Sequence, residues 1–315
     1  MNIQFGKEVK EGLEVPKKYL SSKWFYNVQG DALYNKITTL HEYYLTRCER
    51  EIIANNRNSI AQQLLATGNN IEIIELGGGD GSKAIQLLHS FESELHKVSY
   101  KPVDISANAL KQLSEKVAGV FPKLSINPIE ADFFASNWLA PKPENTTRLI
   151  LFLGSTVGNF NEGVWQDLLA NITAQMLSSD YLLIGFDMLK DPQVIEAAYA
   201  DSQGVTKAFN LNLLQRINDE LGANFDLNCF EHHSFYNPYL QRAESYLLSE
   251  KEQTVTIKAL GISVSFYAWE AIHTEISRKF APHEIVSAAE ANNCTIANTY
   301  TDSQGWFIDS LWKKE

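Results

Sequence analysis

The chain has 315 residues, about twice the usual size of one domain, so one large domain or two closely associated domains are expected. With 44% hydrophobic and 21% charged residues, its composition is that of an ordinary soluble globular protein. The 27 basic residues stand against 38 acidic residues, and the resulting net charge of −11 argues against general binding to the phosphate backbone of nucleic acids.

A membrane segment, a disulfide framework and a metal site are also disfavoured. The longest apolar runs, such as residues 149–153, are the size of a strand and far shorter than the roughly 20 residues of a membrane helix. The N-terminal residues contain no apolar core typical of a signal peptide. Cys48, Cys229 and Cys294 are too few and too scattered for disulfides or zinc. We therefore expect a cytoplasmic monomer that acts on a small molecule, with no metal, nucleic acid or membrane partner.

Residues 71–188 are predicted to alternate between strands and helices. The predicted strands are residues 71–76, 99–105, 124–132, 148–154 and 181–187. Helical spacing is found at residues 83–91, 107–117 and 164–177. This alternation predicts a doubly wound α/β fold, with a mostly parallel sheet covered by helices on both faces.

The pattern changes after residue 188. A predicted helix at 209–221 and β-rich stretches at 245–248 and 254–266 are followed by a helix at 284–293 and two strands around a turn at 302–305. The most economical architecture is an α/β domain interrupted by an inserted α+β domain. We expect residues 52–189 and 279–315 to form the first, and residues 1–51 and 190–278 to form the second.

A glycine-rich corner follows the first predicted strand, with the sequence Glu75-Leu76-Gly77-Gly78-Gly79-Asp80-Gly81. Glycines let the backbone turn tightly and approach a ligand closely. The corner alone fits several nucleotide ligands, although the sequence lacks the GxxxxGK[ST] pattern of a triphosphate P-loop.

Acidic residues at the strand ends narrow the choice of ligand. Asp104 ends the second predicted strand, where it is placed to accept hydrogen bonds from ribose hydroxyls, although a turn or helix-capping role would also explain it. Asp132 is placed to hold an adenine amino group while Phe133 covers a ring face. Together with Glu75 before the glycines, these residues indicate S-adenosylmethionine, and a Rossmann NAD site is the alternative.

Several motifs then occur in order along the chain. They are KWFYN at 23–27, LHEYYLTR at 40–47, EREI at 49–52, ELGGGDGSK at 75–83, PVDIS at 102–106, FLGSTVGNF at 152–160, AYADSQGVTKAFN at 198–210 and TEISRKF at 274–280. They resemble the motifs of the histidine-specific S-adenosylmethionine-dependent methyltransferases, members of which make Nα-trimethylhistidine (hercynine) in ergothioneine biosynthesis. The resemblance implies a Rossmann-like class I methyltransferase sheet with an inserted substrate-binding domain, S-adenosylmethionine as cofactor and L-histidine as substrate.

The same resemblance implies roles for individual residues. The cofactor would contact Gly77, Lys83, Asp104, Asp132 and Phe133. The candidate catalytic residues are Tyr43, Asn159 and Tyr199, where Asn159 and Tyr199 would hold the substrate carboxylate and orient the amino group. Glu275 and Ser277 would bind the imidazole ring.

Two positions of the substrate site stay open. The family pattern often has methionine where Ser245 stands, and Tyr44 is an alternative to its neighbour Tyr43. Aromatic faces tolerate the quaternary ammonium of a trimethylated product, and the candidates for that role are Tyr26, Tyr43, Tyr44 and Phe209. Core packing is the alternative explanation for each of them except Tyr43.

The predicted strand around Glu275 supports its assignment independently of the resemblance. Strand alternation predicts that His273, Glu275 and Ser277 share one face, while residues 272, 274 and 276 share the other. A carboxylate accepts an N–H and a hydroxyl donates or accepts, so the pair suits the two nitrogens of an imidazole. A solvated strand with Glu275 outside is the alternative.

Other chemistries have weaker support in the sequence. His232 and His233 are adjacent and lack a third ligand at helical spacing, and no GxSxG motif indicates a hydrolase. Methyl transfer to an amine depends mainly on positioning a neutral nitrogen, so a strong dedicated base is not required. The alternatives are a methyltransferase for another amine, such as a tryptophan derivative, an NAD-dependent oxidoreductase, and a non-catalytic binding module.

Overall fold

The computed structural model describes residues 3–135 and 138–315. The chain divides into two compact units, which we call the insert unit, Met1–Tyr44 with Lys190–Lys279, and the sheet unit, Leu45–Leu189 with Phe280–Glu315. The division expected from the sequence has its boundaries after residues 51, 189 and 278.

The elements are as follows in chain order. The α-helices are α1 (Ile3–Leu13), α2 (Val28–Ile37), α3 (Tyr44–Leu65), α4 (Ser82–Leu88), α5 (Ala107–Val120), α6 (Val164–Ala174), α7 (Pro192–Tyr199), α8 (Val205–Leu221) and α9 (Pro282–Ala291). The strands are β1 (Asn70–Leu76), β2 (Val98–Asp104), β3 (Ser125–Ile126), β4 (Ile129–Glu130), β5 (Thr146–Phe152), β6 (Tyr181–Asp187), β7 (Phe230–Asn237), β8 (Arg242–Ser249), β9 (Gln253–Ile257), β10 (Ile262–Phe266), β11 (Ala271–Arg278), β12 (Cys294–Thr301) and β13 (Phe307–Lys314). Within the described ranges, no helix has the length and apolar content that a membrane crossing requires.

A mostly parallel sheet organises the sheet unit. Its strand order is β12-β13-β6-β5-β1-β2-β3, and β4 also pairs with β2. Strands β1 to β6 run parallel to one another, whereas β13 runs antiparallel to both β6 and β12. Strands β5 and β6 are buried along their whole length, and the apolar runs at residues 149–153 and 181–184 reflect that burial. The predicted α/β fold and its closing hairpin are confirmed.

The third predicted strand differs from the expectation. Residues 124–132 do not form one strand but two short pieces, β3 and β4. Pro128 lies between them and has no N–H to donate to a ladder, while the N–H of Asn127 donates to the carbonyl of Tyr100 at 2.9 Å. The prediction of a continuous strand was therefore wrong at the proline.

The strand order reverses beside β1. From β1 the chain proceeds to β2 on one side, and it later returns to β5 on the other side. Open α/β sheets bind ligands at the carboxyl ends of the strands at such a switch point. The glycine loop at residues 77–81 follows β1, and a short 3-10 helix, Thr156–Asn159, follows β5 at the same edge.

The insert unit contains an antiparallel sheet of strand order β11-β8-β7 and a separate β9–β10 hairpin. The N-terminal segment adds to the edge strand β11, because Leu20 N–H donates to the carbonyl of His273 at 2.8 Å and His273 N–H donates to that of Lys18 at 2.9 Å. Helix α8 contributes Phe209 and Leu213 to the apolar core of this unit. The N-terminal segment contributes Phe5 and Val9 to the same core, so both chain segments of the insert unit share one core.

A β-bulge in β11 changes which residues share a face. The register shifts between His273 and Glu275, so that His273 lies opposite Tyr246, whereas Glu275 lies opposite Ser245. Tyr246 and Ser245 point to opposite faces of β8, and paired residues of antiparallel strands point the same way. Glu275 and Ser277 share a face as predicted, but His273 lies on the other one. The prediction for His273 was wrong because a bulge interrupts simple alternation.

Candidate active site

The glycine loop after β1 leaves its backbone open. Gly77 is exposed and adopts a φ of +62°. Among the described residues, the ring of Phe133 comes nearest to the position of a Cβ there, at 3.9 Å. At Gly81 (φ +70°) a Cβ would lie 2.1 Å from Leu113 Cδ1, so the loop packs closely against α5 there. The loop thus offers free backbone beside an aromatic ring, as a bound nucleoside requires.

The side chain of Glu75 packs against the glycine loop. Its side chain is buried and accepts a hydrogen bond from the hydroxyl of Tyr100. A Cβ at Gly78 would lie 2.5 Å from Oε2 of Glu75, so the two would collide. Burial raises the pKa of Glu75 to about 7. A carboxyl enclosed in this way positions the glycines.

Two carboxyl groups follow neighbouring strands. Asp104 ends β2, and its carbonyl accepts a hydrogen bond from the N–H of Ala131 just after β4. One oxygen of Asp104 also accepts from Ser106 N–H at 2.9 Å, so this residue holds the turn into α5, while burial raises its pKa. Asp132 is exposed. The contacts of Asp104 with ribose hydroxyls and of Asp132 with the adenine amino group stay predictions.

Lys83, predicted to contact the cofactor, is held by an acid that sequence reasoning missed. Its Nζ lies 2.6 Å from Oε2 of Glu49, which is buried near the start of α3. The other oxygen of Glu49 accepts a hydrogen bond of 2.7 Å from the N–H of Gly154, after β5. Glu49 therefore joins helix α4, after the glycine loop, to the loop that follows β5. In the sequence Glu49 is one of two acids in the 49–52 motif, and nothing there distinguishes it from Glu51.

Asp309 adds a second buried carboxyl next to Glu49. It lies on β13 opposite Gly185, where a Cβ would stand 2.3 Å from Oε1 of Glu49. Burial, and then the charge of Glu49, hold the pKa of Asp309 well above its usual range. The glycine at residue 185 makes room for the Glu49 side chain.

Asn159 lies at the end of the 3-10 helix after β5 and is half-buried. The chain reaches it through Gly154 and Ser155, which have φ values of +81° and +55°. This position is at the carboxyl edge of the sheet unit, where ligands of α/β folds bind. Its contact with the substrate stays a prediction.

In the insert unit, Tyr199 and Ser277 meet. The hydroxyl of Tyr199 donates to Ser277 Oγ at 2.6 Å, and both oxygens accept hydrogen bonds from Nζ of Lys279, at 3.0 and 2.9 Å respectively. All three side chains are buried. Lys279 was not among the predicted site residues, because one basic residue at a strand end gives no distinctive signal.

Glu275 lies on the same face of β11 as Ser277. Its Oε2 accepts a hydrogen bond of 3.4 Å from the hydroxyl of Ser245, the residue opposite it on β8. Burial raises the pKa of Glu275 to about 7, although the positive charge of Lys279 acts in the opposite direction. Glu275 is half-buried, so it does not stand fully in solvent as the alternative had it.

Tyr199 joins an aromatic cluster through Tyr43, and sequence reasoning missed one member of the cluster, Tyr34. The cluster comprises Tyr26, Tyr34, Tyr43, Tyr199 and Phe209. Tyr43 lies edge-on to Tyr199 and to Tyr34, with 6.4 Å between ring centroids in each pair. Tyr44 is engaged differently, since its hydroxyl accepts a hydrogen bond of 2.9 Å from Lys190.

The motif at 198–210 largely builds the backbone that carries Tyr199. Tyr199 ends α7, which begins after Asp191, whose side chain accepts from the N–H of Gln193. Asp201 then accepts from the N–H groups of Val205 and Thr206, at 2.9 and 2.7 Å, and so caps α8. These caps fix the end of α7 and the start of α8.

Comparison with known proteins identifies the relatives of this chain. A family described as "Histidine-specific methyltransferase, SAM-dependent" matches residues 5–314. "Histidine N-alpha-methyltransferase" of Mycolicibacterium smegmatis is 34% identical over 97% of this chain and 93% of its own length, and that of Mycobacterium tuberculosis is 34% identical over 99% and 96%. "Ergothioneine biosynthesis protein 1" of Schizosaccharomyces pombe is 32% identical over 75% of this chain and 31% of its own.

These matches decide between the cofactors that the glycine loop left open. The family is dependent on S-adenosylmethionine, and the residues around the loop fit that molecule, so an NAD-dependent oxidoreductase is no longer supported. The chain is an N-methyltransferase and belongs to the histidine-specific, S-adenosylmethionine-dependent methyltransferase family.

Proposed function

We propose that this chain trimethylates the α-amino group of L-histidine to give hercynine, a step of ergothioneine biosynthesis. The observation that carries the proposal is the face of β11 on which Glu275 and Ser277 stand together, beside Tyr199. A carboxylate and a hydroxyl at this spacing suit the two nitrogens of one imidazole. The names of the relatives at 34% identity support the same substrate.

The amino-acid end of the substrate needs a different set of groups. We propose that Asn159 holds the carboxylate, while Tyr199, whose own proton is donated to Ser277 Oγ, accepts a hydrogen bond from the amino group. Tyr43, beside Tyr199, is the third contact, so these three residues are the catalytic candidates. Partial burial favours the neutral amine, which is the nucleophilic form. When bound, S-adenosylmethionine supplies an electrophilic methyl group on a sulfonium. The residues of the chain then act mainly by positioning the nitrogen.

The aromatic cluster suits the product as well as the substrate. Each methyl transfer makes the nitrogen bulkier, and the third leaves a permanent positive charge. Aromatic ring faces attract such a cation, and Tyr26, Tyr34 and Tyr43 lie together in the cluster. This arrangement supports completion of three transfers rather than release after one.

Methylation of the purified chain with S-adenosylmethionine tests the proposal. L-Histidine, Nα,Nα-dimethylhistidine and L-tryptophan are supplied separately, and the products are identified by mass. We expect the first two to give the same trimethylated product and tryptophan to give none. Methylation of tryptophan or another amine in preference to histidine would contradict the assignment of Glu275 and Ser277 to an imidazole.

The state and location of the protein belong to the same proposal. We propose a cytoplasmic monomer. Its three free cysteines, of which Cys48 and Cys294 are buried, support the reducing compartment. Light scattering of the purified chain measures the mass directly. A stable dimer would contradict this part without affecting the substrate.

A further inference from the structure

A fully buried lysine holds the contact between Tyr199 and Ser277. Lys279 has 0% of its surface exposed, and its Nζ lies 4.7 Å from the centroid of the Tyr199 ring as well as within hydrogen-bonding distance of both hydroxyls. Burying an ammonium is costly, even when it is hydrogen-bonded. A lysine here must therefore contribute something that an apolar residue of the same length would not.

Its contribution is visible in the hydrogen bonds of Ser277. A serine hydroxyl has two acceptor lone pairs and one hydrogen to donate. Tyr199 donates to Ser277 Oγ at 2.6 Å and Lys279 donates to it at 2.9 Å. Because these two donors fill both acceptor positions, the hydroxyl of Ser277 is left to act as a donor toward a third group.

Glu275 offers the opposite polarity on the same face of β11. When ionised, its carboxylate can only accept hydrogen bonds. Ser245 approaches one of its oxygens at 3.4 Å, and Lys279 stabilises its charge. The face therefore presents one acceptor and one donor, two residues apart along the strand.

We propose that Lys279 is a specificity-determining positioning residue that fixes Ser277 as a donor, so that Ser277 and Glu275 together select a ring with one bare nitrogen and one N–H. The inference rests on the proposed function and deepens it. A neutral imidazole in a single tautomer has this pattern, whereas an imidazolium has two N–H groups and no acceptor. An indole carries only an N–H and would leave the proton of Ser277 unpaired, which a polar site penalises.

A double-mutant cycle between Lys279→Met and Ser277→Ala tests whether the lysine acts through the serine. We expect Lys279→Met to raise the KM for histidine about tenfold, with a smaller effect on kcat, since one charge-assisted hydrogen bond is lost. In the Ser277→Ala background the same change should raise KM less than about twofold. Equal effects in both backgrounds would overturn the proposal, because a purely structural lysine would matter in either.

Controls separate this inference from the proposed function. Binding of S-adenosylhomocysteine, measured by calorimetry, should be the same in all four proteins and shows that each is folded. A wild-type chain that does not methylate histidine would refute the proposed function. A wild-type chain that does, combined with an additive cycle, would refute only the role of Lys279.

A second measurement needs no variant. Thiazolylalanine and thienylalanine differ only in that the first carries a bare ring nitrogen, and neither has a ring N–H. The assay is run at a pH well above the Glu275 pKa of about 7, where Glu275 is ionised and has no proton to donate. Of the two residues, Ser277 alone can then donate a hydrogen bond to the ring nitrogen. We expect thiazolylalanine to inhibit histidine methylation about fivefold more strongly, as one neutral hydrogen bond allows. Equal inhibition by the two analogues would overturn the proposal.

Discussion

The ammonium group of Lys83 lies 2.6 Å from the carboxylate of Glu49, which is 1% exposed and also accepts the N–H of Gly154. This ion pair ties the helix after the glycine loop to the start of α3 and to the loop after β5. It thereby fixes the position from which Lys83 is predicted to contact the cofactor.

Removing the lysine is expected to destabilise the protein and to weaken cofactor binding. Lys83→Met leaves Glu49 buried without its cation and beside Asp309, at a cost of about 2–3 kcal/mol in the free energy of unfolding. The double variant with Glu49→Gln should recover part of that loss, because no unpaired charge remains. Urea unfolding and calorimetry with S-adenosylhomocysteine measure both effects. A double variant less stable than Lys83→Met would contradict the ion-pair explanation.

The glycine loop allows a comparison between two glycines of similar conformation. Gly79 and Gly81 have φ values of +54° and +70°, but only at Gly81 would a Cβ meet another atom, 2.1 Å away on Leu113. Gly79→Ala should cost about 1 kcal/mol for the left-handed backbone, and Gly81→Ala about 2 kcal/mol more for the collision. Thermal unfolding of the two variants provides the measurement. Equal losses would show that α5 yields to the new methyl group.

Much of the sheet unit could be predicted from its sequence, and the reason is physical. The buried parallel strands β5 and β6 each contain a short apolar run in the sequence, and glycines mark the loop after β1. Pro128 is a strand-breaking signal that is visible in the sequence, and the predicted strand at 124–132 wrongly includes it. The partnership of Glu49 with Lys83 could not be predicted, because it joins residues far apart in the chain.

The insert unit was less predictable for a related reason. Alternation correctly placed Glu275 and Ser277 on one face of β11 but misplaced His273, since a bulge has no clear signature in a single strand. In the sequence, nothing distinguishes Lys279 from other basic residues or Tyr34 from other core aromatic residues. Their importance comes from which side chains they meet, and the fold alone determines that.

Glu275 should make stability depend on pH in a defined direction. In the folded chain its pKa is about 7, against 4.5 for an unperturbed side chain, so the folded state retains a proton that the unfolded state loses across this window. Stability therefore falls as pH rises from about 4.5 to 7, by roughly 3 kcal/mol from this residue. Glu275→Gln should remove that part of the slope in urea unfolding at several pH values.

Glu75 is the internal control for this experiment. Its pKa is also raised to about 7 by burial, and it remains in the Glu275→Gln variant. The variant should therefore keep a smaller pH dependence of the same sign. An unchanged slope would mean that Glu275 is ionised in the folded chain well below pH 7.

Substitution of the neighbouring Tyr43 and Tyr44 distinguishes a residue that contacts the substrate from one that stabilises the fold. Tyr43 belongs to the aromatic cluster beside Tyr199, whereas the hydroxyl of Tyr44 accepts a hydrogen bond from Lys190. Tyr43→Phe should raise the KM for histidine about fivefold to tenfold, because a hydrogen bond to the substrate is lost. Tyr44→Phe should cost about 1 kcal/mol of stability with little change in KM. Steady-state kinetics of both variants measure the KM for histidine. A raised KM in Tyr44→Phe, with Tyr43→Phe unchanged, would assign the substrate contact to Tyr44 instead.

The most direct test of the proposed activity is mass spectrometry of the purified chain incubated with S-adenosylmethionine and a mixture of the twenty amino acids. We expect histidine alone to gain three methyl groups, with the product mass abolished or strongly reduced in Glu275→Ala. Methylation of a different amino acid, with histidine unchanged, would leave the fold and the cofactor in place but contradict the imidazole site formed by Glu275 and Ser277.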